Sequence, residues 1–250
     1  MALDYGHVDV VRYLLETDTV DDQATYDLYE GGSLIFAAVV GGQIPILHPL
    51  FELGTDVNEQ DRQGDTALAW AARQRQPFPA KELLDHADIE PDLGNKRGMT
   101  PLLMAAKFSS VETVELLLGV SNIEPHRIGI YGFTAYHSAC DTSQCATGHI
   151  ECQRTVQILE LPSSHVCSPQ ATDRRGRTPL HLAARNGCSY LVSYLAYQGV
   201  ALDVIDEDGL TPEMVATTSQ HPHVATLLAQ CSRSATFAHQ YWKKFDCDKH

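Results

Sequence analysis

Two shortages limit what this sequence of 250 residues can encode. It has no run of about 18 consecutive apolar residues, so we expect no membrane-spanning helix. It is also poor in basic residues, because 18 lysines and arginines stand against 32 acidic side chains and give a formal net charge of −14. Duplex DNA and anionic membranes repel such a chain on average, so we predict no nucleic acid partner and no membrane insertion.

Cysteine is absent from the first 139 residues and is odd in number over the whole chain. A secreted protein that depends on disulfides normally has an even count in a smaller chain. The first residues carry acids early and do not resemble a secretory signal. We therefore predict free thiols in a reducing compartment, the cytoplasm or the nucleus. The seven are Cys140, Cys145, Cys152, Cys167, Cys188, Cys231 and Cys247.

The short motifs of common enzyme classes are also missing. The chain has no GxxxxGK[ST] phosphate loop, no HExxH, no GxSxG and no GxGxxG. Its paired acids, such as Asp21 and Asp22, fall in turns or in the tail. We therefore predict that the protein is not an enzyme and has no catalytic residues and no cofactor.

An internal repeat is the main feature that the sequence does contain. Residues 178–187 read TPLHLAARNG, and related segments recur at intervals of 33, 34, 34, 44 and 33. The other segments start at Ser33, Thr66, Thr100, Thr134 and Thr211. Seventeen residues after the start, all five regularly spaced segments have leucine: Leu50, Leu83, Leu117, Leu195 and Leu228. In the Thr134 segment, about eight extra residues restore Leu159 to that column.

Each segment has the chemistry of a pair of short helices. A threonine can cap the first helix, and proline suits its first position. Pairs such as Ala105 and Ala106 allow close helix packing, and Val114, Leu117 and Leu118 form an apolar stripe on the second helix. A turn with glycine follows, as at Gly98. No unit can bury its stripe alone, so neighbouring units must stack.

These segments resemble the ankyrin repeat, which implies an all-α solenoid of helix–turn–helix units joined by hairpin loops, and a protein-binding role. We predict an incomplete repeat at 1–16, a linker loop at 17–31, six repeats over 32–231 and a tail at 232–250. The six units start near 32, 65, 99, 133, 177 and 210, and the fourth has an insertion at 141–152. The first unit lacks its opening helix, which indicates a truncated chain or, alternatively, an imperfect cap.

The tail contains an aromatic face. Phe237, Tyr241, Trp242 and Phe245 are spaced for one side of a short helix. We expect this helix to cap the last repeat; the alternative is a docking peptide for a partner.

The resemblance implies that a partner binds the hairpin tips and the concave face formed by the first helices. The three middle tips carry five cations and no acid around an apolar trio, although the chain as a whole is acidic. Aromatic and arginine side chains are common interface anchors. We therefore predict a protein partner with an acidic or mixed acidic–apolar segment; the alternative is ordinary solvated loops. The candidate residues are Lys96, Arg97, Ile130, Tyr131, Phe133, Arg174, Arg175 and Arg177.

Two other groups of residues could form chemical sites: a cluster of cysteines with one histidine, and a pair of histidines in two repeats. Cys140, Cys145, His149 and Cys152 could hold zinc, but their spacing matches no specific motif, and Cys140 takes a position where other repeats have a small alanine. We favour incidental thiols and no metal site. His137 and His181 hold the fourth signature position, where the resemblance implies a structural histidine that ties loops together.

The resemblance also implies a candidate modification site. The segment LGTDVN, ending at Asn58, looks like the hairpin segment that intracellular asparaginyl hydroxylases accept in ankyrin proteins. For the whole chain, the leading interpretation is a non-catalytic scaffold or adaptor that binds another protein. One alternative is a targeting or regulatory portion of a larger polypeptide, with or without an enzymatic domain, and another is a small metal-dependent enzyme.

Overall fold

The computed structural model of the protein describes residues 34–141, 149–161 and 168–246. Within these ranges the backbone forms helices, turns and one isolated β-bridge, which confirms the all-α prediction. Contacts divide the chain into two compact units, Met1–Glu124 and Pro125–His250. The predicted half repeat at 1–16 and linker at 17–31 lie outside the described residues.

Unit 1 contains three helix pairs in its described part. The pairs are α1 (Leu34–Val40) with α2 (Ile44–Glu52), α3 (Ala67–Arg73) with α4 (Pro77–Leu84), and α5 (Pro101–Lys107) with α6 (Val111–Leu118). First helices pack on first helices, α1 on α3 and α3 on α5, and second helices pack on second helices, α2 on α4 and α4 on α6. A single repeat cannot bury the apolar stripe of its second helix by itself, and this stacking of neighbouring repeats buries it.

Unit 2 repeats this arrangement and adds a final helix. Its pairs are α7 (Ala135–Cys140) with α8 (His149–Glu160), α9 (Pro179–Arg185) with α10 (Ser189–Tyr197), and α11 (Pro212–Thr218) with α12 (Pro222–Arg233). The first helices α7, α9 and α11 pack in sequence, as do the second helices α8, α10 and α12. The last helix, α13 (Ala235–Asp246), packs on α10 and α12.

The leucine column of the sequence is the core of the second helices. Leu50, Leu83, Leu117 and Leu195 are 0% exposed, and Leu228 is 1% exposed. Leu159 is also buried, at 2% exposure, so the irregular repeat keeps the register that the inserted residues restore. Full burial of a leucine side chain stabilises the fold by about 1.5–3 kcal/mol, which makes this column a major source of stability.

Threonine begins the first helices as the sequence predicts. The Thr66 hydroxyl accepts a hydrogen bond from the Ala69 amide at 3.2 Å, and Thr100 accepts one from Leu103 at 3.3 Å. Proline at Pro101 occupies the first turn, where a missing N–H costs nothing. Each first helix is only about two turns long, so its stability comes from these caps and from packing.

The insertion in the fourth repeat differs from its predicted range of 141–152. Helix α8 begins at His149, so the last four residues of that range belong to the helix. Cys152, Val156 and Leu159 are all buried and are spaced for one face of a helix. Because Cys152 already belongs to this buried face, the helix includes residues that were predicted to lie in the insertion. Residues 142–148 lie outside the described part of the chain.

The tail forms helix α13, whose buried side carries Ala238 and Trp242. This helix covers the second helices of the last two repeats. None of the helices in the described ranges has the length and the apolar character that crossing a lipid bilayer would demand.

Candidate partner-binding surface

The hairpin tips are held in shape by a polar side chain three residues before the turn glycine. In the tip of residues 173–177, one Asp173 carboxylate oxygen accepts the backbone N–H groups of Arg175 and Arg177, both at 2.9 Å. The same bracing recurs in three other tips, through Asp61, Asn95 and Asp206. The remaining tip, at 129–133, has Gly129 at this position and no side chain to play that role.

Backbone hydrogen bonds join successive tips within each unit. In unit 1, the Lys96 N–H donates to the Gln63 carbonyl at 3.1 Å. In unit 2, the Arg174 N–H donates to the Tyr131 carbonyl at 3.0 Å, and the Glu207 N–H donates to the Arg175 carbonyl at 2.9 Å. The tips of a unit therefore form one connected row and not independent loops.

Two buried histidines fasten the first helices of unit 2 to the following tip. His181 Nδ1 accepts the Thr178 N–H at 3.0 Å, while its Nε2 lies 3.1 Å from the Leu210 carbonyl oxygen. His137 repeats this arrangement with Thr134 and the Arg177 carbonyl oxygen. An acceptor at Nδ1 and a donor at Nε2 define the neutral ring. This is the structural role that the resemblance implies, and it argues against a catalytic one.

We expect the two buried histidines to make the stability of unit 2 sensitive to mild acid. Burial, the largest cause, lowers the pKa of both His137 and His181 below the ordinary 6.5. The unfolded chain therefore binds more protons than the folded chain below pH 6.5, so stability is present above that pH and is lost as the pH falls. We expect the free energy of unfolding to drop by up to about 1.4 kcal/mol per histidine for each pH unit below 6.5, until the folded ring itself is protonated.

Urea unfolding at a series of pH values between 7.5 and 5 measures this loss. His181→Gln keeps a donor for the Leu210 carbonyl but does not titrate, so it should flatten the pH dependence. His48→Gln is the control, because the His48 side chain is 79% exposed. An equal slope in the wild type and in His181→Gln contradicts the prediction.

An exposed apolar group stands at the tip that lacks side-chain bracing. Ile130 is 44% exposed and Tyr131 60% exposed, while Phe133 is half-buried. The Phe133 ring stacks on His137 at a centroid distance of 5.7 Å and meets Tyr131 edge-on at 6.4 Å. The Phe133 ring therefore packs against the protein, whereas Ile130 and Tyr131 are exposed and available to contact a partner.

Arg177 has a structural role that differs from the predicted one. Its guanidinium donates two hydrogen bonds to Asp173 Oδ2, at 2.7 and 2.8 Å, and lies 5.7 Å from the centre of the Phe133 ring. The Arg177 side chain is only 15% exposed and that of Asp173 is 0% exposed. Its charge is neutralised within the protein, so it is a poor candidate for steering a partner.

The electrostatics of Asp173 agree with this structural pairing. Burial by itself raises the pKa of the Asp173 carboxyl, but hydrogen bonds from the Arg177 side chain and from the Arg177 and Arg175 amides outweigh it. The net pKa lies below the ordinary 3.8. The stabilisation that the ionised Asp173 carboxylate gives to the folded state is therefore complete at neutral pH, and it is lost only as the pH falls below about 3.8.

The other cations of this surface remain at the protein surface. Arg175 pairs with Asp208 at 2.7 Å, and both side chains are more than half exposed, so the pair is weak and exchangeable. Arg174 is exposed and makes no ion pair with any described residue. In unit 1, Lys96 donates through Nζ to the Arg62 carbonyl at 2.7 Å. Arg97 is exposed and, like Arg174, has no ion pair within the described ranges.

Asn58 is hydrogen-bonded to the next repeat through both the nitrogen and the oxygen of its side-chain amide. Its Nδ2 donates to the Asp88 carbonyl at 2.7 Å, and its Oδ1 accepts the Glu90 N–H at 2.8 Å. The side-chain amide therefore ties two successive hairpins of unit 1 together. Its hydroxylation stays a prediction, and an enzyme acting on the folded chain would have to reach a residue held in this way.

The candidate zinc ligands divide between described and undescribed parts. Cys140 is completely buried in α7, and Cys152 lies in the first turn of α8. Cys145 and the side chain of His149 lie outside the described residues. Within the described ranges, no three His, Cys, Asp or Glu side chains come together in a way that could hold a metal ion. The Cys152 sulfur instead lies 3.2 Å from that of Cys188.

The bracing residues of the tips are functional positions that the sequence reasoning missed. Their signal was present, since an aspartate or asparagine stands three residues before Gly64, Gly98, Gly176 and Gly209. Such side chains commonly bond to the backbone two residues further on. Aligning the turns of the repeats in the same way as the leucine column places these aspartates and the asparagine at one shared position.

Stacked helix pairs with braced hairpin tips, joined into a row within each unit, define a helical repeat protein. The family model for ankyrin repeats matches residues 34–128, 80–155 and 145–237. The chain belongs to the ankyrin repeat family. This confirms the resemblance found in the sequence.

Several curated proteins are similar to parts of this chain. Human Rabankyrin-5 is 25% identical over 175 residues, which cover 70% of this chain and 14% of that protein. The mouse B-cell lymphoma 3 protein homolog is 26% identical over 188 residues, covering 74% of this chain and 40% of that protein. The putative ankyrin repeat protein YahD of Escherichia coli is 27% identical over 190 residues, covering 63% and 92% respectively.

Proposed function

We propose that this chain is a non-catalytic protein-binding module that holds a partner through the tips of unit 2. The observation that carries the proposal is an exposed aromatic and aliphatic pair, Tyr131 and Ile130, directly beside Arg174. The Tyr131 carbonyl is hydrogen-bonded to the Arg174 amide, so their positions are fixed relative to one another before a partner arrives. A preorganised surface loses less entropy on binding.

The partner segment that this surface favours is apolar and acidic. Tyrosine and arginine are frequent anchors at protein interfaces because they combine a large contact area with a polar group. Arg174 makes no ion pair within the described ranges, and Arg175 can exchange Asp208 for an acid of the partner. The net charge of −14 disfavours nucleic acid as the partner. The same surface serves the chain whether it acts alone as a scaffold or as the regulatory portion of a larger polypeptide.

The test is a peptide selection on the purified full chain, followed by affinity measurements. We expect the selected peptides to combine aspartate or glutamate with apolar residues. Arg174→Glu should weaken their binding by about tenfold and reduce its salt dependence, and Tyr131→Ala should weaken it by about tenfold. Arg233→Glu and Phe78→Ala are the controls, because both residues are exposed and lie outside the tips. Selected peptides that bind Arg174→Glu and Tyr131→Ala as tightly as the wild type would falsify the proposal.

A further inference from the structure

Three buried cysteines surround the junction of α7, α8 and α10 in unit 2. Cys140 ends α7, Cys152 lies in the first turn of α8, and Cys188 immediately precedes α10. Their exposures are 0%, 3% and 3%. The sulfurs of Cys152 and Cys188 are 3.2 Å apart, although the two residues are 36 positions apart in the chain.

We propose that Cys152 and Cys188 are an oxidation-sensitive thiol pair that forms a disulfide and cross-links α8 to α10. A disulfide needs a sulfur–sulfur distance of about 2.05 Å, so the two sulfurs must approach by only about 1.1 Å. Rotation of the two side chains can supply a movement of this size. In a reducing compartment the pair remains as thiols until an oxidant appears.

The positions of the three thiols give them different chemical roles. Cys188 stands at the N-terminal end of α10, where the helix dipole stabilises negative charge that develops on sulfur. We therefore assign Cys188 as the thiol that attacks the oxidant first. Burial, the largest cause, raises the pKa of the Cys140 thiol, and Cys140 ends α7, where the helix dipole disfavours a negative sulfur, so we assign it no part in the reaction. Cys152 is the second thiol because it is in sulfur contact with Cys188.

The oxidant is a small hydroperoxide, with hydrogen peroxide as the probe. The Cys188 thiolate attacks one peroxide oxygen, the O–O bond breaks, and the released hydroxide takes up the former Cys188 proton as water. The Cys152 sulfur then attacks the resulting sulfenic acid, the S–S bond forms, the S–O bond breaks, and the hydroxide leaves with the Cys152 proton as a second water. Two thiols and one peroxide thus give one disulfide and two waters, and the two electrons lost by sulfur reduce the peroxide.

The cross-link closes a covalent loop that contains residues 173–177, the tip that carries Arg174. A disulfide across a loop of this length restricts the unfolded chain and raises thermal stability. We expect the melting temperature of the oxidised chain to lie about 5–10 °C above that of the reduced chain. The gain should disappear when dithiothreitol reduces the bond.

The experiment treats the folded full chain with hydrogen peroxide, blocks the remaining thiols by alkylation and maps the cysteines by mass spectrometry. We expect a linked pair of peptides containing Cys152 and Cys188, together with the rise in melting temperature. Cys188→Ala should abolish both, and Cys152→Ala provides the same test if the first variant does not fold. Cys140→Ala is the matched control: it introduces the residue that Ala72, Ala106 and Ala184 provide in other repeats, and it should keep both effects.

Three results would overturn the inference. Cys152 and Cys188 could both remain as thiols at a peroxide concentration that oxidises other cysteines of the chain. They could be found linked to other cysteines and not to each other. They could also proceed to sulfinic acids without any linked peptide, which would mean that the sulfurs do not meet in the folded protein.

Discussion

Replacing Trp242 with alanine is expected to destabilise the C-terminal end of unit 2 by about 3–5 kcal/mol. Trp242 is the larger of the two buried residues among the described side chains of α13, with only 4% of its surface exposed. Its ring meets Tyr190 and Tyr194 edge-on at centroid distances of 5.0 and 5.3 Å, and it stacks on Tyr197 at 6.1 Å. These three tyrosines lie along α10, so the truncation removes the ring contacts between α13 and α10 and leaves a cavity there.

The detachment of α13 should follow from the loss of this anchor. A helix of 12 residues is marginal in water by itself, so α13 depends on tertiary packing. Urea unfolding measures the stability, and limited proteolysis near Ser234 measures the detachment. Trp242→Phe keeps most of the ring contact and should cost less than about 1.5 kcal/mol, and Lys243→Ala, at an exposed position, should change stability by less than about 0.5 kcal/mol. If Trp242→Ala unfolds at the same urea concentration as Lys243→Ala, α13 is not a stabilising cap.

The helix pairs were predictable because their signals are local and repeat along the chain. Four of the threonines accept a hydrogen bond from an amide three residues away, and each leucine of the regular repeats follows its start by a constant spacing. Thr211, for example, caps α11 through the Met214 amide, as its position in the segment indicates. An error in one repeat is corrected by the others, which is why the irregular fourth repeat could be aligned through Leu159.

The chemistry of the surface was only partly predictable, because it depends on contacts that have no fixed spacing. The sequence identified Tyr131 and Arg174 as exposed tip residues, and both are exposed. It treated Arg177 as equivalent to Arg174, since nothing in a list of loop charges indicates that one guanidinium is folded over a ring and a buried carboxylate. The contact of Cys152 with Cys188 was equally hidden, because the two cysteines are 36 positions apart in neighbouring repeats and no sequence motif pairs them.

Replacing Gly132 with alanine is expected to cost about 2–4 kcal/mol and to separate two neighbouring tips of unit 2. Gly132 has φ +78°, a region that costs other residues about 1–2 kcal/mol. A Cβ atom there would lie 2.8 Å from the Arg174 amide nitrogen and 3.2 Å from the Asp173 Cα. Because these are backbone atoms, the neighbouring tip must move as a whole. The movement would also break the bond from the Arg174 N–H to the Tyr131 carbonyl, worth about 1 kcal/mol.

Gly209 provides a control that separates the two contributions. Its φ is +73°, close to that of Gly132, but a Cβ atom at Gly209 would meet nothing within 4 Å. Gly209→Ala should therefore cost only the backbone part, about 1–2 kcal/mol, when both variants are compared by urea unfolding. Gly132→Ala should in addition weaken peptide binding, because Tyr131 and Arg174 lose their fixed spacing. Equal losses of stability in the two variants, with binding unchanged, would mean that the close approach of the tips stabilises neither the fold nor the surface.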